Sequence, residues 1–194
     1  MKLGILGGGF NPIHYGHLRA AEEVRERLKL DKIMLIPTYS PPHKQVKDSF
    51  EQRKAMVELA IRSNSVFSVS AIERERKGKS FTIETIRLLK WRYPHDQLYF
   101  IMGTDQFLDI GNWHAPEVLF RLCRIVVINR PGYHIRRKVN RFGKKAQFVA
   151  ITPLAISSTD IRKRLMRGQS VRYLLPEPVV RYIRKNKLYR KEVQ

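Results

Sequence analysis

The stretch Gly7-Gly8-Gly9-Phe10-Asn11-Pro12-Ile13-His14-Tyr15-Gly16-His17 sets three successive glycines ahead of two imidazoles. Glycine has no Cβ, so its backbone amides approach an anion more closely than those of a run carrying side chains. An apolar strand, Leu3 to Leu6, precedes the turn. After it Leu18, Ala21, Val24 and Leu28 recur at helical spacing, with Arg19, Glu22, Glu23, Glu26 and Arg27 assigned to the opposite face. A helix is therefore expected to begin near Tyr15 or Gly16. His14 and His17, three residues apart, would share one side of its first turn, where the positive end of the helix dipole favours a phosphate. Gly16 between them leaves room for a ligand.

Other phosphate and metal motifs fail on counting. A dinucleotide fingerprint started at Gly7 needs a glycine where Pro12 stands, and a Walker loop ending in Gly78-Lys79-Ser80 needs one where Glu73 stands. The H-E-x-x-H spacing of a zinc site is absent, and Cys123 is the single cysteine.

A second motif lies near the other end of the chain, at Ile156-Ser157-Ser158-Thr159-Asp160-Ile161-Arg162. Ser157 and Asp160 fit a loose capping box, a helix from there would run to about Arg167, and Gly168 offers a left-handed stop. Such a helix start presents unpaired backbone amides, the hydroxyls of Ser158 and Thr159, and the guanidinium of Arg162 one turn in. Taken alone this is also what an ordinary capped helix looks like.

The first motif resembles the H-x-G-H signature of the nucleotidyltransferase superfamily and, within it, bacterial nicotinate-nucleotide adenylyltransferase. The second is similar to that family's Ile-Ser-Ser-Thr-x-Ile-Arg. The chain departs from the pattern at Gly9, where a hydroxyl residue is usual, and at Asn11, often Asp. The resemblance implies a Rossmann-like nucleotidyltransferase fold and adenylyl transfer from ATP to nicotinate mononucleotide, giving deamido-NAD and pyrophosphate. It places ATP against Gly7, Gly8, Gly9, Phe10, His14, His17, Gly103, Asp105, Ile156, Ser157, Ser158, Thr159 and Arg162. His14, His17, Lys44 and Arg162 would act on the phosphates, with Lys44 and Arg162 on the leaving pyrophosphate. Thr82, Trp113, Asp105 and Arg130 would hold the pyridine nucleotide, Trp113 by stacking on its ring and Asp105 through ribose hydroxyls. Mg2+ would be held mainly by the ATP phosphates, with no protein metal site. Phosphopantetheine adenylyltransferase shares the H-x-G-H pattern and stays open as an alternative, although Gly103-Thr104-Asp105 with Trp113 favours the pyridine enzyme.

The remaining pattern supports an α/β fold. Apolar runs at Leu3 to Leu6, Ile33 to Ile36, Phe67 to Val69, Leu98 to Met102, Ile125 to Ile128 and Phe148 to Ile151 alternate with helical stretches at Phe50 to Arg62, Phe81 to Trp91 and Pro116 to Leu122. Continuous apolar strands between amphipathic helices predict a doubly wound, mostly parallel sheet with helices on both faces. At 194 residues a single domain over 1–194 is expected. No apolar run approaches the roughly 20 residues that span a bilayer, no signal peptide is recognisable, and one thiol suits a reducing cytoplasm.

The chain carries 38 basic against 17 acidic residues, a net charge of +21. Clusters at Arg136 to Lys145, Arg162 to Arg167 and Arg181 to Lys191 would attract polyanions of any kind. No dedicated nucleic-acid motif accompanies them, so a basic nucleic-acid-binding module or a scaffold on the same fold is the competing reading. A homo-oligomer stays open.

Overall fold

The computed structural model describes residues 1–41, 48–76, 78–129 and 141–190. Its six strands are β1 (Lys2–Gly8), β2 (Lys32–Pro37), β3 (Phe67–Val69), β4 (Gln97–Gly103), β5 (Arg124–Ile128) and β6 (Gln147–Val149). They form one sheet in the order β3-β2-β1-β4-β5-β6, and every neighbouring pair is parallel. The helices are α1 (Tyr15–Leu28), α2 (Phe50–Ile61), α3 (Ile72–Arg76), α4 (Thr82–Arg92), α5 (Thr104–Leu108), α6 (Pro116–Leu122), α7 (Ser158–Met166) and α8 (Glu177–Lys185), with a 3-10 turn at Ile110–Asn112.

Alternation along each strand divides the core in two. Ile33, Leu35, Tyr99, Ile101, Val126 and Ile128 face one side, where they meet Ala21 and Val24 of α1, Met56 and Val57 of α2, Ile161 of α7 and Val179, Val180 and Ile183 of α8. Leu3, Ile5, Met34, Ile36, Phe100, Met102, Ile125 and Val127 face the other, against Ile83, Ile86 and Leu89 of α4, Phe107 of α5 and Leu119 of α6. Each such aliphatic side chain removed from water contributes about 1.5 to 3 kcal/mol. A sheet buried on both faces explains why its strands read as unbroken apolar runs.

Two details differ from the sequence reading. β1 continues through Gly7 and Gly8, which pair with Ile36 and Pro37 of β2, so the turn proper begins at Gly9. Glu23, assigned to the solvated face of α1, is buried at 3% exposure. Helices α3, α5 and α8 were not anticipated. Two of them are five residues long, and the apolar stripe of α8 is hidden in a basic stretch.

Strand order reverses between β1 and β4. In an open α/β sheet the crevice for a ligand lies beyond the carboxyl ends of the strands at this reversal, here at Gly7, Gly8 and Gly103.

Candidate active site

His14 is the N-cap of α1, in extended conformation, and the predicted helix start at Tyr15 holds. The backbone N–H of His14 donates to Nδ1 of His17 at 3.3 Å, and the two rings stack with centroids 3.7 Å apart. An imidazole that accepts at Nδ1 carries its proton on Nε2. In that arrangement His17 can present Nε2 as a donor. The edge of Phe10 packs on His17 at 5.1 Å. Gly16 makes the stack possible, because a Cβ there would lie 3.0 Å from the His14 ring and 3.6 Å from the carbonyl oxygen of Ile156.

That last contact shows how the second motif arrives. Ser157 caps α7 by accepting from the backbone N–H of Asp160 at 3.0 Å, and Gly168 adopts the left-handed conformation just beyond the helix. Ser158 Oγ donates to the carbonyl of Pro12 at 2.9 Å, and Arg162 Nη1 to that of Asn11 at 2.7 Å. Arg162 Nη2 also reaches Thr159 Oγ1 at 3.2 Å. The two motifs are thus joined through backbone atoms a few residues before His14.

Several buried groups fix this junction. Glu23 accepts from the Thr152 backbone N–H at 3.0 Å and pairs with Arg19 and Arg27, which ties α1 to the approach of the second motif. That amide hydrogen bond, more than the arginines, holds its carboxyl below the usual range. Asn129 bonds both backbone groups of Ile151. Tyr189 Oη donates to Asn11 Oδ1, and burial pushes its phenol pKa up.

Arg53 is the least expected of these groups. At 1% exposure it donates through Nη1 to the Gly9 carbonyl at 2.9 Å, through Nη2 to that of Thr38 at 2.8 Å and through Nε to that of Asp48 at 3.4 Å. Burial lowers its pKa.

A cavity of about 170 Å³ opens at the strand reversal, lined by Gly7, Gly8, Gly9, Thr38, Glu73, Ser80, Thr82, Thr85, Phe100, Gln106 and Trp113 among others. Its lining combines glycine backbone with the aromatic rings of Phe100 and Trp113. Trp113 is half-buried and leans on Phe100 edge to face, with centroids 6.3 Å apart. Below it the buried Glu73 accepts from Thr85 Oγ1 at 3.0 Å and from the Tyr39 backbone N–H at 3.1 Å. A larger, shallower cleft of about 540 Å³ between α2 and α8 shares no residue with the motifs.

The structure thus brings Gly7, Gly8, Gly9, Thr82 and Trp113 to one cavity. It gathers Phe10, His14, His17, Ile156, Ser157, Ser158, Thr159 and Arg162 beside its glycine backbone. Gly103 ends β4 and Asp105 is half-buried in the first turn of α5, with one carboxylate oxygen shielded from solvent. Lys44 and Arg130 lie outside the described residues. Arg53, Glu73 and Thr85 were not singled out from sequence. No spacing in the sequence marks Glu73 or Thr85 for the cavity, and none marks an arginine as buried.

A family model described as cytidylyltransferase-like matches residues 5–164, a span that holds both motifs. A relative from Geotalea uraniireducens, named probable nicotinate-nucleotide adenylyltransferase, is 43% identical over 97% of this chain and 98% of its own. The chain belongs to the cytidylyltransferase-like family, among the nicotinate-nucleotide adenylyltransferases. A relative of the same name from Exiguobacterium sibiricum is 44% identical over 97% of this chain and 99% of its own. The fold is that of the Plasmodium falciparum nicotinic acid mononucleotide adenylyltransferase solved with NaAD, with a TM-score of 0.82 at 22% identity over 97% of each chain.

Against the pattern of nicotinate-nucleotide adenylyltransferases, the two departures of this chain have local explanations. A Cβ added at Gly9 meets nothing within 4 Å, so the turn there is open rather than filled by a compensating group. Asn11 has its side-chain oxygen bonded to the Tyr189 hydroxyl and its backbone oxygen to Arg162, so it acts as a brace between the two motifs.

Proposed function

We propose that the protein transfers the adenylyl group of ATP to nicotinate mononucleotide, giving deamido-NAD and pyrophosphate in NAD biosynthesis. The observation that carries this reading is the cavity whose lining runs from Gly7, Gly8 and Gly9 to Thr82 and Trp113. Glycine backbone suits phosphates, and the aromatic wall suits a flat heteroaromatic ring. The names of the relatives supply the substrate class.

The 5′-phosphate oxygen of the mononucleotide attacks the α-phosphorus of ATP in line, that P–O bond forms, and the bond to the β-phosphate oxygen breaks to release pyrophosphate. A phosphate monoester has a second pKa of about 6, so near neutrality the nucleophile needs little base catalysis. The chain's task is to position two anions and to stabilise charge as it moves to the leaving group. His17 donates from Nε2 to the triphosphate, with His14 stacked against it to fix the ring. The start of α7 and Arg162 hold the pyrophosphate end, and Trp113 with Thr82 holds the pyridine ring. Asp105 meets the ribose hydroxyls at the end of β4.

Among the described residues no three His, Cys, Asp or Glu side chains gather as metal ligands. Magnesium would be held mainly by the ATP phosphates, entering with that substrate and supplying charge neutralisation there. No helix among the described residues is long and apolar enough to cross a membrane. The one cysteine, Cys123, is buried, and burial pushes its thiol up to about 12, so it supplies no nucleophile. A single cysteine suits a reducing, cytoplasmic setting.

Pyrophosphate release, measured with ATP, magnesium and one acceptor at a time, tests the reading. Nicotinate mononucleotide should be the productive acceptor. Release with phosphopantetheine and none with the mononucleotide would transfer the assignment to the alternative enzyme.

A further inference from the structure

Arg53 lies in the interior with all three guanidinium nitrogens turned to backbone carbonyls, and among the described residues it forms no ion pair. Burying a cation is costly, and α2 has no need of one for its own stability. Its N-terminus is already capped by the reciprocal bonds of Ser49 and Gln52.

What the guanidinium grips explains its presence. Gly9 follows β1 and Thr38 follows β2, so a single planar fork holds the exits of two adjacent parallel strands. In a trans peptide the C=O and the following N–H point in opposite directions. Drawing the Thr38 carbonyl toward Arg53 therefore turns the Tyr39 N–H away from it, and that N–H is found on Glu73 at 3.1 Å, in the wall of the cavity. The same logic applies at Gly9. Its carbonyl is drawn onto Arg53, so the Phe10 N–H of the same peptide is turned away from the guanidinium. Phe10 itself has φ of 44°, a left-handed conformation that a bulky residue keeps only when its surroundings impose it.

We infer that Arg53 is a positioning residue for the triphosphate: it aims the Phe10 amide at the anion and sets a buried positive charge one hydrogen bond behind the phosphate-binding turn. This deepens the adenylyl-transfer reading and rests on it for the identity of the anion. A charge in a low-dielectric interior is poorly screened, so Arg53 attracts the triphosphate without touching it.

The test compares wild type with Arg53→Lys, which keeps the charge and loses the fork, and Arg53→Met, which loses both. Steady-state KM is measured for each substrate, with melting followed by circular dichroism. Arg53→Lys should raise the ATP KM about tenfold, the worth of one hydrogen bond to an ionised group, and the mononucleotide KM by less. Arg53→Met should raise the ATP KM further. Lower melting temperatures with both KM values unchanged, or raised equally, would reduce Arg53 to a structural brace and overturn the inference. Should neither variant fold, 15N-labelled wild type is titrated with ATP alone. A large shift of the Phe10 amide resonance is expected, and an unmoved one refutes the proposal. Because that titration needs no turnover, it separates a failure here from a failure of the adenylyl-transfer reading.

Discussion

Arg162 Nη1 donates to the carbonyl oxygen of Asn11 at 2.7 Å, across 151 residues of sequence, and so keys the second motif onto the first. In the proposed reaction the same side chain would be both a fastening and a cation beside the phosphates. Arg162→Ala should lower kcat/KM for ATP by about a hundredfold or more. The lost hydrogen bond should cost about 1 kcal/mol of stability. Pyrophosphate-release kinetics and urea unfolding measure the two effects separately. A variant that loses stability and keeps its kinetics would confine Arg162 to fastening.

His17 is half-buried and contributes one acceptor to its own helix start, so its removal should spare the fold. His17→Ala is expected to lower turnover by roughly two to three orders of magnitude. The change in stability should stay near 1 kcal/mol, the worth of an N-terminal capping bond. Near-wild-type turnover in this variant would remove His17 from the chemistry.

Much of this site could be read before any coordinates. Six apolar runs marked the six strands to within a few residues, because a sheet covered on both faces keeps polar residues mostly to the ends of its strands. Both motifs sit where glycine turns and capping residues placed them. Charge was the obstacle. Glu23 reads as a member of a solvated helix face and nothing in the sequence singles out Arg53 or Glu73, yet each is buried because a specific backbone N–H or C=O across the fold satisfies it, and such partners have no trace in local spacing. The stripe Val179, Val180 and Ile183 was masked in the same way by the arginines and lysines around it.

Trp113 supplies an aromatic plane in the wall of the cavity, packed against Phe100. Trp113→Ala should weaken nicotinate mononucleotide binding by roughly tenfold or more, the loss expected for an aromatic stack, while ATP affinity changes little. Isothermal titration with each nucleotide reads this directly. Equal losses for the two would argue against stacking.

Gly9 offers a gain-of-function test. The space around it is open and its φ is not in the left-handed region, so Gly9→Ser should fold with stability within about 0.5 kcal/mol of wild type. The added hydroxyl is a further donor beside the phosphates and should leave the ATP KM equal or lower. A severalfold rise in KM would show that the ligand itself occupies the Gly9 side-chain space.

Glu23 predicts a pH dependence of stability. Its carboxyl sits below the usual value of 4.5 in the folded state, chiefly through the Thr152 amide. A depressed folded pKa stabilises the native state above the unfolded value and loses that contribution as pH falls through the folded one. Thermal melts of wild type and Glu23→Gln should therefore differ near neutrality, with wild type higher, and converge as the pH drops below 4.5 toward the depressed folded value. Parallel curves across that range would mean that the carboxylate charge contributes nothing at the Thr152 junction.

The most direct test of the central claim follows the α-phosphorus. ATP labelled at that atom is incubated with the protein, magnesium and nicotinate mononucleotide, and the products are separated. Adenylyl transfer predicts the label in the dinucleotide, with unlabelled pyrophosphate released in equal amount. Label found in AMP or retained in ATP, with no dinucleotide formed, would contradict it.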